Sequence, residues 1–344
     1  MKHPWNDSIW DLLTQRQGAV PQAVLFHGAN GLGKNALAVR FAHHVLCGMG
    51  PNSERFGAQF EAGTHPDFHV VAPEQRAIDC PELYAQYARR YFEEAPGAAD
   101  RKAKTVIGVD QVRMLIDRVG RSAHFAAAKV ALITPAESMN INSANALLKL
   151  LEEPPSSTTL ILVADDSDRL PATIISRCML IPFTPPRRSV AQSWLSEHYP
   201  ELSDSDVLLD LTANAPLAAA ALAESGFLAQ RDQMLMDFEA IITGGGDPVA
   251  SAGRWGRIGA APALKWLQQA LSDLIRWQHD VSPPTVFNPD RESHFQALAN
   301  KIDFKELFRL LQVSGEARLQ VGGALDEILL LEDVLVQLQK STTV

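Results

Sequence analysis

GANGLGKN, at residues 28–35, decides the fold and leaves the activity in question. The phosphate-binding pattern G-x-x-x-x-G-K-[ST] is met at Gly28, Gly33 and Lys34, with Gly31 as a further glycine of the loop. Asn35 stands where the pattern requires Ser or Thr. The flanks support a true phosphate loop. AVLFHG, at 23–28, is an apolar run that ends in glycine, and residues 36–47 place Leu37, Phe41, Val45 and Leu46 at helical spacing. Strand, glycine loop and helix in this order let backbone N–H groups and the helix N-terminus face an anion.

Further along the chain, residues 48–63 are polar and read as a loop, THPDF at 64–68 as a turn, and 68–71 as a strand. Residues 93–104, with Pro96, Gly97 and the run Arg101-Lys102-Ala103-Lys104, read as a solvated basic loop. A helix is expected over 109–119 and a buried strand over 130–133. A second helix over 143–153 is stopped by Pro154-Pro155, and a strand follows over 159–164. This alternation predicts a parallel, doubly wound sheet with its ligand site at the carboxyl ends of the strands. After PFTPPRR, at 182–188, only amphipathic helices are expected, and GGGD at 244–247 reads as a connection. The domains are placed at 1–182, 183–243 and 244–344.

The 344 residues are 46% hydrophobic and 21% charged, which suits a globular chain of several domains. No apolar run is long enough to span a bilayer and no signal pattern opens the chain, so it is read as cytoplasmic with no membrane partner. A net charge of -9 argues against a protein that coats DNA alone. Cys47, Cys80 and Cys178 lack paired spacing, so neither a disulfide framework nor zinc is expected, and His43, His44, His65 and His69 do not complete a ligand set. Trp266 and Trp277 are read as packing residues, and the aliphatic run at 328–331 as buried, partly against other subunits.

THPDF at 64–68, IGVDQVR at 107–113, ANALLKLLEEPP at 144–155 and ISRC at 175–178, in that order after the phosphate loop, resemble the delta-prime family of bacterial DNA polymerase III clamp-loader subunits, which are AAA+ proteins. The resemblance is strong over the first 180 residues and rests on order and size beyond them. It implies an AAA+ core, a small helical lid and an all-α C-terminal collar. It also implies a hetero-oligomeric ring with ATPase subunits and a delta subunit, acting on the sliding clamp and primed DNA. Polymerase (nucleotidyltransferase) activity then belongs to the assembly. In this family the arginine of the SRC element reaches ATP held by a neighbouring subunit, and that role maps onto Arg177.

The chain departs from an ATPase at four points. Asn35 replaces the hydroxyl that holds magnesium. LITPAE, at 132–137, puts Thr134 and Pro135 at the acidic-pair positions and displaces Glu137, read as a solvated carboxylate at a helix start. Asp165 and Asp166 follow the strand LILVA where a polar sensor is expected, and should repel phosphate. NAPLAAA, at 214–220, lacks the lid's sensor arginine. Gly28, Gly31, Gly33, Lys34 and Asn35 are therefore expected to bind magnesium-ATP weakly or vestigially, with no cofactor required, while Arg177 is retained for a neighbour. The rivals are a divergent ATPase that uses Asn35 and Glu137, and an architectural scaffold in which Arg177 caps a helix or pairs with a carboxylate.

Overall fold

The computed structural model describes residues 2–15, 21–48, 53–92, 103–121, 128–280, 285–323 and 325–342. The chain divides into two compact units, Met1–Pro185 and Pro186–Val344.

The first unit is built on a sheet of β1 (Ala23–His27), β2 (Phe68–Val71), β3 (Lys129–Ile133), β4 (Thr158–Ala164) and β5 (Met179–Pro182). Its order is β2-β3-β4-β1-β5, and every pairing is parallel. The inner strands are buried along almost their whole length and mostly apolar, because helices cover both faces of such a sheet. Helices α1 (Asp7–Thr14), α2 (Lys34–Cys47), α3 (Ser53–Glu61), α4 (Glu74–Asp79) and α5 (Leu83–Arg89) precede β3. The others are α6 (Val109–Gly120), α7 (Ile141–Glu152) and the single turn α8 (Ala172–Ile175). Leu25, Ile133 and Leu162 of the sheet share a core with Val112 and Leu115 of α6 and Leu147 and Leu151 of α7. Asn140 caps α7 by accepting the Ser143 N–H, and the helix ends just before Pro154-Pro155, one residue earlier than the sequence suggests.

The polar segment 48–63 is not a simple loop, since α3 occupies Ser53–Glu61. Phe56 and Phe60 recur at i and i+4, and buried Phe60 stacks on Phe68 with ring centroids 4.8 Å apart. That packing outweighs the mid-helix Gly57, whose missing side chain meets only His43. Of the basic segment 93–104, residues 93–102 lie outside the described residues, and the Lys104 N–H donates to Glu74 Oε2 at 3.2 Å.

Among its described residues the second unit is built from helices: α9 (Arg188–His198), α10 (Ser205–Leu211), α11 (Pro216–Glu224), α12 (Phe227–Ile242), α13 (Pro248–Gly256), α14 (Ala260–His279), α15 (Glu292–Leu298), α16 (Phe304–Gln320) and α17 (Glu327–Lys340). Phe238 and Ile241 of α12 share one core with Trp255, Trp266, Leu274, Phe295 and Leu335, so α12 packs with the helices that follow it although the expected boundary lies at 243. Trp266 is buried and Trp277 packs against the same core. The aliphatic run divides: Leu331 is buried, whereas Ile328 and Leu329 are exposed on the chain itself.

Candidate functional site

Parallel register sets the site. His27 at the end of β1 lies opposite Ala164 at the end of β4, and Ile133 at the end of β3 lies opposite Leu162. The loops that follow these three strands therefore meet at one edge, bringing Gly28–Asn35, Thr134–Glu137 and Asp165 together although up to 137 positions separate Gly28 from Asp165.

Gly28, Gly31 and Gly33 all have positive φ, the loop shape that the sequence pattern requires. The cradle is nevertheless engaged by the chain. Lys34 is only 4% exposed, so it is not a surface lysine. Its Nζ donates to the carbonyls of Gly28 (2.6 Å) and Ala29 (2.7 Å) and pairs with Asp165 Oδ1 at 2.8 Å. An ammonium has three N–H donors, and these three acceptors take all of them. Asp165, expected to repel a phosphate, occupies the place of one as the counter-ion of Lys34.

The metal-binding side of the site is closed in the same way. Thr134 Oγ1 donates to Asn35 Oδ1 at 2.7 Å, so the carbonyl offered in place of a serine hydroxyl is already used. Glu137 is not solvated. It sits in a short 3-10 turn, and its Oε1 accepts the Asp165 N–H at 2.9 Å while its buried Oε2 has no hydrogen-bond partner among the described residues. Burial pushes its carboxyl above the usual range, a shift opposed by backbone N–H groups and reinforced by the charge of Asp165. Glu137 tethers the loop after β4 through its bond with the Asp165 N–H. These residues do not fit magnesium-ATP as arranged, because Lys34, which would grip the phosphates, has all its donors taken and Asn35 Oδ1 already accepts from Thr134, even though Glu137 Oε2 remains unpartnered among the described residues.

A further set of residues is not legible in the sequence. The N-terminal turn packs on the phosphate loop, where Trp5 Nε1 (3.0 Å) and Asn6 Nδ2 (2.9 Å) both donate to the Leu32 carbonyl. A Cβ on Gly33 would lie 2.5 Å from His3 Cδ2. Trp10 is covered by the Arg40 guanidinium, 3.6 Å from its ring centroid. Tryptophans near a chain start are a weak signal, and the partner of Trp5 lies 27 residues away.

Removing the counter-ion tests the closed cradle. Asp165→Ala leaves the Lys34 charge buried and unpaired, and is expected to lower unfolding stability by about 1–3 kcal/mol, less than for a fully buried pair because Asp165 is 33% exposed. Pyrophosphate should restore part of the loss in the variant and do little for the parent chain, since only the variant leaves the ammonium without a counter-ion and with a donor to offer. Urea unfolding with and without pyrophosphate reads both effects, and identical responses in the two chains refute the assignment.

Arg177 lies away from this network, just after α8 on an exposed stretch of the first unit. Its Nε and Nη2 donate to Glu152 Oε1 at 2.9 and 2.5 Å, and its Nη1 donates to the Thr173 carbonyl at 3.0 Å. The carboxylate pairing weighed for this residue is therefore present in the chain by itself. No motif in the sequence assigns Glu152 to Arg177, although a signal exists: Glu152 and Glu153 close a helix whose C-terminal dipole disfavours negative charge, and such a pair calls for a cation. The 214–220 stretch starts at Asn214, in a left-handed turn with Ala213, and nearby Arg188 is engaged by Asp206, Asp210 and Asn214.

Among the described residues no group of three or more His, Cys, Asp or Glu side chains is arranged to hold a metal. Burial pushes the Cys47 and Cys178 thiols up to about 11, so both are protonated and unreactive near neutral pH. No single helix among the described residues is long and apolar enough to cross a membrane.

The sequence compares with known proteins as follows. The family model described as DNA polymerase III, delta subunit, matches residues 6–187, and the model for the C-terminal part of the DNA polymerase III delta subunit matches 225–340. DNA polymerase III subunit delta' of Pseudomonas aeruginosa is 30% identical, with 97% of this chain and 96% of that protein covered. Its Escherichia coli counterpart is 28% identical, with 98% and 95% covered. DNA polymerase III subunit gamma of Buchnera aphidicola is 31% identical over 162 residues, 47% of this chain and 38% of that protein.

Proposed function

The chain belongs to the DNA polymerase III delta-subunit family, as a delta-prime clamp-loader subunit, and on that basis we propose that it does not hydrolyse ATP but presents Arg177 to ATP held by a neighbouring subunit. It takes part in DNA replication in a complex with other clamp-loader subunits. The observation that carries the reading is the contrast between Lys34 and Arg177. The lysine that should grip phosphate is buried and saturated by Gly28, Ala29 and Asp165, while the arginine stands at the surface of its unit.

An arginine placed against the transferring phosphoryl group stabilises charge that develops in the transition state, and needs no nucleotide site of its own. On this reading the phosphate loop is a structural turn, and the first unit is a rigid support that presents Arg177. The ATPase and delta subunits are the neighbours in the ring. The sliding clamp and primed DNA are reached through the whole assembly, in the cytoplasm, with no zinc and no nucleotide required by this chain. Architectural use of the collar is compatible with this function, whereas a purely structural Arg177 is not.

Magnesium-dependent ATP hydrolysis by the purified chain tests the first half. Turnover is expected to be at background and unchanged by Lys34→Ala. Turnover that Lys34→Ala abolishes makes the chain an ATPase and overturns the proposal.

A further inference from the structure

Arg177 has five N–H donors, and the chain itself engages most of them. Nε and Nη2 share one oxygen of Glu152, while Nη1 donates to the Thr173 carbonyl and, at 3.3 Å, to Ser176 Oγ. Yet the two charged side chains face solvent, 34% exposed for Arg177 and 50% for Glu152. We propose that Glu152 is a latch: a positioning residue that holds Arg177 on its own subunit until a neighbour's triphosphate displaces it. The proposal rests on the reading that Arg177 serves a neighbour's ATP.

Three features support a latch over a fixed structural bridge. A carboxylate 2.5 Å from the guanidinium cannot keep its place while phosphate oxygens take the same donors, because two anions would then meet within a few ångströms. One of the pair must swing away. Both can do so without moving the backbone: Leu147, Leu150 and Leu151 anchor α7 just before Glu152, and Cys178 packs against the core just after Arg177. The exchange is therefore a change of rotamers, fast on the timescale of turnover. Finally, Glu152 ends α7, where the helix dipole disfavours its charge, so Arg177 supplies the compensating cation and releasing it carries a definite cost.

An exposed ion pair shifts such an equilibrium by a factor of about five at most. Glu152→Gln keeps the size and one hydrogen-bond acceptor but removes the charge. In the assembled complex it is expected to raise ATP turnover about two- to fivefold where engagement of Arg177 limits the rate. In an Arg177→Ala background the same substitution should change nothing, since a latch without its bolt has no effect. A structural role for Glu152 predicts similar effects in both backgrounds. On the isolated chain, phenylglyoxal labelling of Arg177, read by peptide mass spectrometry with exposed Arg113 as the internal reference, should be faster in Glu152→Gln. Unchanged labelling overturns the latch, as does a turnover change that survives Arg177→Ala. Turnover that falls with Arg177→Ala but does not respond to Glu152→Gln also overturns it and leaves the proposed function standing. Turnover indifferent to Arg177→Ala removes both.

Discussion

Arg177→Ala is expected to slow hydrolysis at the ATP site that Arg177 serves by roughly three orders of magnitude, while the clamp-loader complex still assembles. The size of the effect comes from the transition state. Removing a guanidinium from a desolvated interface leaves charge on the transferring phosphoryl group uncompensated, and arginines in this role contribute on the order of 10³ or more in rate. Assembly should survive, because Arg177 in the chain makes an exposed ion pair with Glu152 and contacts to Thr173 and Ser176, worth about 1 kcal/mol or less together. Single-turnover ATP hydrolysis and clamp loading onto primed DNA read the loss, and size-exclusion chromatography reads assembly. Arg177→Lys should recover little, since an ammonium cannot reproduce the planar donor fork. Normal turnover in a correctly assembled Arg177→Ala complex refutes the donation of this arginine.

Gly28→Ala is expected to destabilise the first unit by about 3–5 kcal/mol. Gly28 has φ +136°, a backbone conformation that an alanine adopts only under strain. A Cβ at that position would also be driven into the carbonyl oxygen of Phe183, just past β5. That carbonyl belongs to a fixed chain: the Phe183 N–H donates to the His27 carbonyl at 2.7 Å, and the Phe183 ring packs 5.3 Å from that of Phe26. Neither side has room to give. The matched control is Gly57→Ala within α3, where the nearest atom to the new Cβ is His43 Nε2 at 3.6 Å and the change should be neutral or stabilising by up to about 1 kcal/mol. Urea unfolding midpoints compare the two. Equal stability of Gly28→Ala and the parent chain contradicts the packing account of this glycine.

The legibility of this chain follows from the range of the interactions involved. Local patterns are decided by neighbours in sequence, so the parallel sheet, the proline stop after α7, the change to helices after residue 186 and the absence of a magnesium-binding hydroxyl at Asn35 are readable without coordinates. Where local signals conflict with packing, the reading fails. Polar residues and Gly57 suggest a loop over a segment that Phe60 turns into a helix. Which chemical parts of an ATPase are missing can be read from the order of amino acids alone, because a missing side-chain type is a property of one position. What the remaining parts do is a matter of packing in three dimensions. Lys34 meets Asp165, Asn35 meets Thr134 and Arg177 meets Glu152 because parallel strand register and helix packing, not sequence proximity, bring side chains 25 to 131 residues apart within hydrogen-bonding distance.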